Sequence, residues 1–402
     1  MACRLLRPFL NLSSESKKVI RLNRIKTQQT SPGLIFNATN IGENLTGIGR
    51  YSLIIARYLL QHWQQPFTLY INAKAKKHFE EYASAGNIRV ISGLTSPDLR
   101  FSGHLLRLLW TNKLSIGDRR TIIFNSSQLE ASVFHSRQII TVHDLIPLIF
   151  PRYHLRQYHF LKHVLPHVLR KSLKVITVSQ HTKELMMQHY GIDESKIVVI
   201  HNGVAFNIHP NEIQQAKQCL HEENHRHYIL YVGRLSPTKN IERLIKAFDL
   251  FRHKYQIDCD LKLTGIRTSL NLKHLNISDS SQRHVQFLSN VSDPALKKLY
   301  LNARFLAFPS LYEGFGLPPL EAMAAGCPTL VSRVASLPEV CGDAAYYVDP
   351  YDVESIAEGF YQLFVNQTLR QSLIDKGLER VKNFCWEDSV KKHIEVLEQV
   401  IG

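Results

Sequence analysis

Apolar residues recur along this chain in two alternating patterns: short continuous runs, and longer stretches with apolar positions three and four apart. The runs Gly33–Phe36, Phe67–Ile71, Ile88–Ile91, Thr121–Phe124, Ile139–Val142, Val175–Val178 and Ile197–Ile200 read as strands buried on both faces. A second series follows near 228–232, 260–264, 285–288, 305–308 and 329–331. The stretches between them read as helices. Tyr51–Leu60 carries Leu53, Ile54, Ala56, Tyr58 and Leu59 on one face. Others are expected near Leu105, after a capping Ser179, over Ile241–Phe251, and after Trp386, where Val390, Ile394, Leu397 and Val400 keep the spacing. Strand alternating with helix predicts an α/β fold with parallel sheets, and 402 residues suffice for two domains. We divide the chain into a basic N-terminal extension (1–32), a first domain (33–205) and a second (206–385), with residues 203 to about 226 joining the two domains.

Composition changes the picture in one respect. Residues 1–210 hold 27 Lys and Arg against 11 Asp and Glu, whereas the remainder is nearly balanced at 22 against 23. A basic first half suits an anionic neighbour: a lipid surface, a phosphorylated acceptor or nucleic acid. No nucleic-acid fold signature accompanies it. The six cysteines show neither paired spacing nor C-x-x-C, which points away from a disulfide framework or zinc site and toward a reduced, cytoplasmic protein. No apolar run approaches the length of a membrane span.

The most specific chemistry lies in FPSLYEGFGLPPLEAMAAG, Phe308 to Gly326. A buried strand stops at Pro309, a turn follows with Gly314 and Gly316, and Pro318 and Pro319 sit where a helix's first turn tolerates proline. Free N–H groups at such a helix start attract an anion, most naturally phosphate. Glu313 before the turn and Glu321 inside the helix are suited to accept hydrogen bonds from hydroxyls at the two ends of one ligand. Taken alone, the pair reads equally as ordinary surface glutamates. A second segment, HYILYVGRLSPTKN (His227 to Asn240), repeats the layout of strand, turn at Gly233, two cations (Arg234 and Lys239) and helix. It offers another grip on phosphate. A third strand–loop–helix unit contains Thr46-Gly47-Ile48-Gly49-Arg50, and the strand Ile139–Val142 ends at His143 and Asp144. Ligand-facing residues of open α/β sheets lie at such strand ends. The alternative for His143 is a histidine satisfied by local hydrogen bonds.

VGRLSPTKN followed about seventy residues later by PSLYEGFGLPPLEAMAAG resembles the retaining nucleotide-sugar glycosyltransferases built from two Rossmann-like domains that face each other across a cleft, the GT-B fold. The resemblance is closest in the second half and extends more weakly from about residue 33. It implies that Arg234 and Lys239 neutralise the donor diphosphate, that Glu313 contacts the donor sugar and that Glu321 holds the ribose hydroxyls. It further implies that Gly233, Gly314, Phe315, Gly316 and Leu317 line sugar and phosphate, that Gly47 and Gly49 close over the phosphates, and that His143 lies by the sugar. The last helix, 386–402, is expected to pack back on the first domain.

On this reading the chain moves a hexose, mannose favoured, from GDP-mannose or a UDP-hexose to a glycan or lipid-linked acceptor, with no cofactor and no metal. TGIGRYS and HDLIPLIFP resemble bacterial enzymes that build surface polysaccharide. A disaccharide-forming synthase or phosphorylase on the same fold, and a non-catalytic nucleotide-sugar-binding relative, are the competing readings. The expected location is cytoplasmic, with contact to an anionic membrane through the basic half. Lys239 and Glu313 are both expected to be partly exposed in the cleft.

Overall fold

A computed structural model describes residues 33–114, 120–204, 206, 208–219, 227–234, 236–265 and 272–401. The basic extension over 1–32 lies outside the described residues. The first half runs β1 (Leu34–Asn37), α1 (Gly47–His62), β2 (Phe67–Asn72), β3 (Ile88–Ile91), α2 (Arg100–Leu114), β4 (Ile122–Asn125), β5 (Gln138–Val142), α3 (Ile146–Ile149), α4 (Leu155–His159), α5 (Leu165–Lys171), β6 (Lys174–Thr177), α6 (Gln180–Tyr190) and β7 (Ile197–Val199). The second runs α7 (Pro210–Cys219), β8 (Tyr228–Val232), α8 (Ile241–Tyr255), β9 (Asp260–Thr264), α9 (Asp279–Gln282), β10 (Val285–Leu288), α10 (Asp293–Asn302), β11 (Phe305–Phe308), α11 (Leu317–Ala324), β12 (Thr329–Ser332), α12 (Leu337–Cys341), β13 (Tyr346–Val348), α13 (Val353–Val365), α14 (Gln367–Arg380) and α15 (Trp386–Ile401).

The strands form two wholly parallel sheets, in the orders β3-β2-β1-β4-β5-β6-β7 and β10-β9-β8-β11-β12-β13. Both orders reverse direction once, between β1 and β4 and between β8 and β11. Ligands of open α/β sheets bind at such a reversal, outside the carboxyl ends of the strands. The buried runs explain the layers. Every residue of β4, β5, β11 and β12 is buried, because helices cover both faces. The second core gathers Tyr231, Phe248, Phe251, Phe305 and Phe360. The first gathers Phe36, Ile55, Leu59 and Phe124.

The last helix completes the first core, not the second: Val390, Val396 and Leu397 of α15 are buried in the same cluster as Leu34, Phe36 and Ile55. On α15, His393 Nδ1–H donates to the Ser389 carbonyl at 2.7 Å, and its Nε2 accepts from the buried Tyr51 hydroxyl on α1 at 2.7 Å. The chain therefore crosses between the halves twice, and the two crossings touch where Val204 N–H donates to the Phe384 carbonyl at 2.9 Å.

Three differences from the sequence reading have simple causes. Thr46 caps α1 by accepting from Gly49 N–H at 3.0 Å, so the helix starts at Gly47, and both glycines lie in its first turn instead of a free loop. The joining segment contains α7, whose Glu212 pairs with Lys297 at 2.7 Å on the second domain. The edge strand β13 is only three residues long, too short for its apolar pattern to stand out.

Candidate active site

The ends of β8 and β11 are sewn together by main-chain and side-chain bonds. After β8 the chain bends at the half-buried Gly233, passes the exposed Arg234, and makes a single 3₁₀ turn, Pro237–Lys239. Asn240 ends that turn in the left-handed region and donates from Nδ2 to the Pro309 carbonyl at 3.0 Å and the Pro350 carbonyl at 2.6 Å. Leu311 N–H donates to the Thr238 carbonyl at 2.7 Å. The two loops thus hold one geometry, and it brings Lys239 onto Glu313: Nζ donates to Oε1 at 2.5 Å and to Oε2 at 2.7 Å. The ammonium also lies 5.6 Å from the centre of the Phe308 ring.

Glu313 is only 7% exposed, so the expectation of a partly exposed carboxylate is corrected. A tightly braced turn is the cause. Ser336 donates to the carbonyls of Glu313 and Phe315 at 2.9 and 2.8 Å, and Ser179, the cap of α6 in the first domain, donates to the Gly314 carbonyl at 2.8 Å. A Cβ on Gly314 would lie 2.3 Å from the His143 carbonyl, so only glycine permits the end of β5 to rest on this turn. Gly316 has φ +111° and starts α11. Prolines at 318 and 319 carry no N–H, which leaves Gly316 and Leu317 as the main-chain donors of the helix start, fewer than an ordinary helix offers.

His143 is buried, with Nε2–H donating to the Ser126 carbonyl at 2.8 Å and its N–H donating to Gln128 Oε1 at 3.2 Å. Its ring stands edge-on to Tyr51 at 4.8 Å. Burial lowers its pKa to about 4, so near pH 7 it is neutral. It is a locally satisfied histidine that shapes the cleft through its backbone. Next to it, Asp144 caps the following turn by accepting from Ile146 N–H at 2.9 Å. Burial raises its pKa, with Lys239 opposing.

Glu321 lies on α11 apart from the Lys239–Glu313 pair. It accepts from the Tyr300 hydroxyl at 2.9 Å. Burial raises its pKa, and this outweighs the lowering by Tyr300 and Arg50. The buried Tyr300 on α10 was missed in the sequence because tyrosine in a helix reads as core. From the first domain, Gly47 approaches α11 so closely that a Cβ there would lie 3.8 Å from Leu317 Cδ1. The starts of α1 and α11 therefore lie next to each other.

A charged contact between the halves adds to these. Glu339 of α12 accepts from Gln180 N–H at 2.7 Å and His181 N–H at 3.1 Å, at the start of α6, and meets His201 Nε2 at 2.7 Å. Burial would raise its pKa, but these bonds prevail and hold it below the usual carboxylate range.

Comparison with known proteins bears on this geometry. The family model described as Glycosyl transferases group 1 matches residues 212–380, and that described as Glycosyltransferase Family 4 matches residues 45–207. Together they account for most of the chain. The chain is a glycosyltransferase, with the group 1 family's domain in its second half. It is 27% identical over 373 residues to O-antigen chain mannosyltransferase B of Escherichia coli, covering 90% of this chain and 98% of that protein. It is 29% identical over 328 residues to O-antigen chain mannosyltransferase RfbU of Salmonella typhimurium, covering 80% and 88%. Among solved structures, HepE of Anabaena in complex with UDP-glucose superposes with a TM-score of 0.67 at 17% identity, covering 91% of this chain and 99% of that one. The glycosyltransferase therefore has the GT-B fold, two parallel-sheet α/β domains. Among the described residues no helix is long and apolar enough to cross a membrane.

Proposed function

We propose that this glycosyltransferase moves a mannosyl residue, with retention, from a nucleotide-diphosphate sugar to a glycan or lipid-linked acceptor during synthesis of a surface polysaccharide. The mannosyl assignment is supported by the two O-antigen relatives. The donor site is supported by one observation above all: the bidentate Lys239–Glu313 pair at the strand ends where both loops meet.

The chemistry follows from the charges. Breaking the bond between the anomeric carbon and the diphosphate builds negative charge on the leaving group. An ammonium has three N–H donors, and Glu313 engages two of them, which leaves one for a phosphate oxygen. Arg234 and the starts of α11 and α1 add fixed positive potential. Two cations and two helix starts supply what a divalent ion otherwise would, so we propose a reaction without metal. Glu313 retains lone pairs for sugar hydroxyls, and Glu321, oriented by Tyr300, accepts from the ribose. The leaving phosphate takes the acceptor's proton on the same face, which retains configuration.

The test is thermal melting of the purified chain with GDP, UDP, ADP and GDP-mannose, followed by transfer of labelled mannose. A ligand specific to the native state raises the melting temperature, by about 2.7 kcal/mol of stability at a hundredfold excess over its Kd. GDP and GDP-mannose are expected to shift it. A shift with UDP alone would overturn the mannosyl reading, and no shift with any nucleotide would overturn the donor site.

We further propose that the first domain works against the cytoplasmic face of an anionic membrane. The α2 helix exposes Leu105 and Leu109, and the neighbouring segment exposes Tyr153 and Leu155 beside Arg152, Arg156 and Lys162. The two lie side by side, with His104 6.1 Å from the Phe160 ring. Apolar side chains rimmed by cations suit a bilayer interface. Cosedimentation with phosphatidylglycerol vesicles is expected, lost at high salt and weakened at least several-fold by Leu105→Ser with Leu109→Ser. Equal binding to neutral vesicles would count against this surface.

A further inference from the structure

The donor-site reading uses Gly47, Gly49, Glu321 and Tyr300, but leaves unexplained a charged pair that joins the elements carrying them. Arg50, in the first turn of α1, reaches across the cleft, and its Nη2 lies 2.5 Å from Asp293 Oδ1 at the first position of α10. Asp293 and Tyr300 are seven residues apart on α10, two turns, and so share one face. Tyr300 holds Glu321 and Asp293 holds Arg50. The Arg50 guanidinium is also close enough to Glu321 to feel its charge. Three residues before Arg50, Gly47 lies against Leu317. This ion pair therefore ties the start of α1 to α10, the helix that also orients Glu321 on α11.

We propose that Arg50 and Asp293 are positioning residues for donor binding, a tie that holds the main chain of Gly47–Gly49 over the diphosphate while Glu321 engages the ribose. This rests on the donor-site reading above. The pair acts on the ligand through geometry and not by touching it. Neither side chain is deeply buried, at 31% and 58% exposed, so removing either leaves the fold intact and loosens only the approach of the two halves. The tie holds the start of α1 near α11, so its loss acts on donor affinity before it acts on turnover.

The experiment compares Arg50→Ala, Asp293→Ala, the charge swap Arg50→Asp with Asp293→Arg, and Glu321→Ala. It measures the Kd of the nucleoside diphosphate selected by the melting screen, and KM and kcat with its mannose donor. Each single alanine is expected to raise Kd and donor KM about fivefold with kcat within about twofold, and the swap to recover most of that loss, the sign of a direct coupling. Unchanged affinity in Arg50→Ala and Asp293→Ala, with affinity lost in Glu321→Ala, would overturn the tie and leave the donor site standing. A swap as weak as Arg50→Ala would also overturn it, since Arg50 would then be contacting the ligand itself. Unchanged affinity in all variants, Glu321→Ala included, would overturn the donor-site reading as well.

Discussion

Lys239→Ala is expected to abolish sugar transfer and to lower the unfolding free energy by about 3 kcal/mol. The second effect follows from the geometry. Both oxygens of Glu313 are bonded by Lys239, and the carboxylate is 7% exposed. Removing the ammonium leaves a buried charge unpaired, which is the costly way to break an ion pair. Glu313→Gln is the informative control. It keeps the shape of the turn that Ser336 and Ser179 brace, and it leaves Lys239, at 19% side-chain exposure, better able to reach water. That variant should lose transfer with a smaller stability loss. Urea unfolding of both variants beside a transfer assay measures the two effects separately. Wild-type stability in Lys239→Ala would show that the pair is not held as described, and normal transfer in folded Glu313→Gln would remove Glu313 from the site.

Acidification from pH 7 is expected to destabilise the protein steeply between about pH 6.5 and 4, before most carboxylates are protonated. His143 and His393 are both buried, and burial lowers each pKa to about 4. In the unfolded chain the same imidazoles take up protons near pH 6.5. The unfolded state therefore binds more protons in this window, and stability present above pH 6.5 is lost as the pH falls through the window. Two to three pKa units per group correspond to roughly 3 kcal/mol each when fully expressed. Both rings pack on Tyr51, whose hydroxyl bonds His393 and Thr141. Urea midpoints at a series of pH values, for the wild type and for His393→Asn, test this. The variant should be weaker at neutral pH but show a shallower pH slope. Parallel slopes would mean that His393 titrates normally in the folded state.

The strands were legible because each is a short apolar run buried on both faces. β8, β9, β10 and β11 span the residues that the pattern marks. The double-proline helix start and the turn before it were legible for a different reason, since proline and glycine restrict the backbone wherever they occur. Contacts across the cleft were not. Arg50 with Asp293 and Glu339 with the start of α6 join residues 243 and 159 positions apart, and each partner alone is an ordinary polar side chain. His143 was found at the strand end, but its satisfaction by the Ser126 carbonyl depends on how β4 and β5 pair, which no local pattern carries. The burial of Glu313 was missed for the same reason, because the groups that enclose it come from three separate segments.

The return of α15 to the first domain also sets an order of events during synthesis. The first half leaves the ribosome before Val390, His393, Val396 and Leu397 exist, and its core lacks them until α15 is made. Until then its nascent core presents Phe36, Tyr51 and Ile55 without their cover, while the second half is already able to close on itself. The first half is therefore completed only after the second has been made, and chains released before α15 would expose the apolar groove that it fills, which marks them for aggregation or degradation.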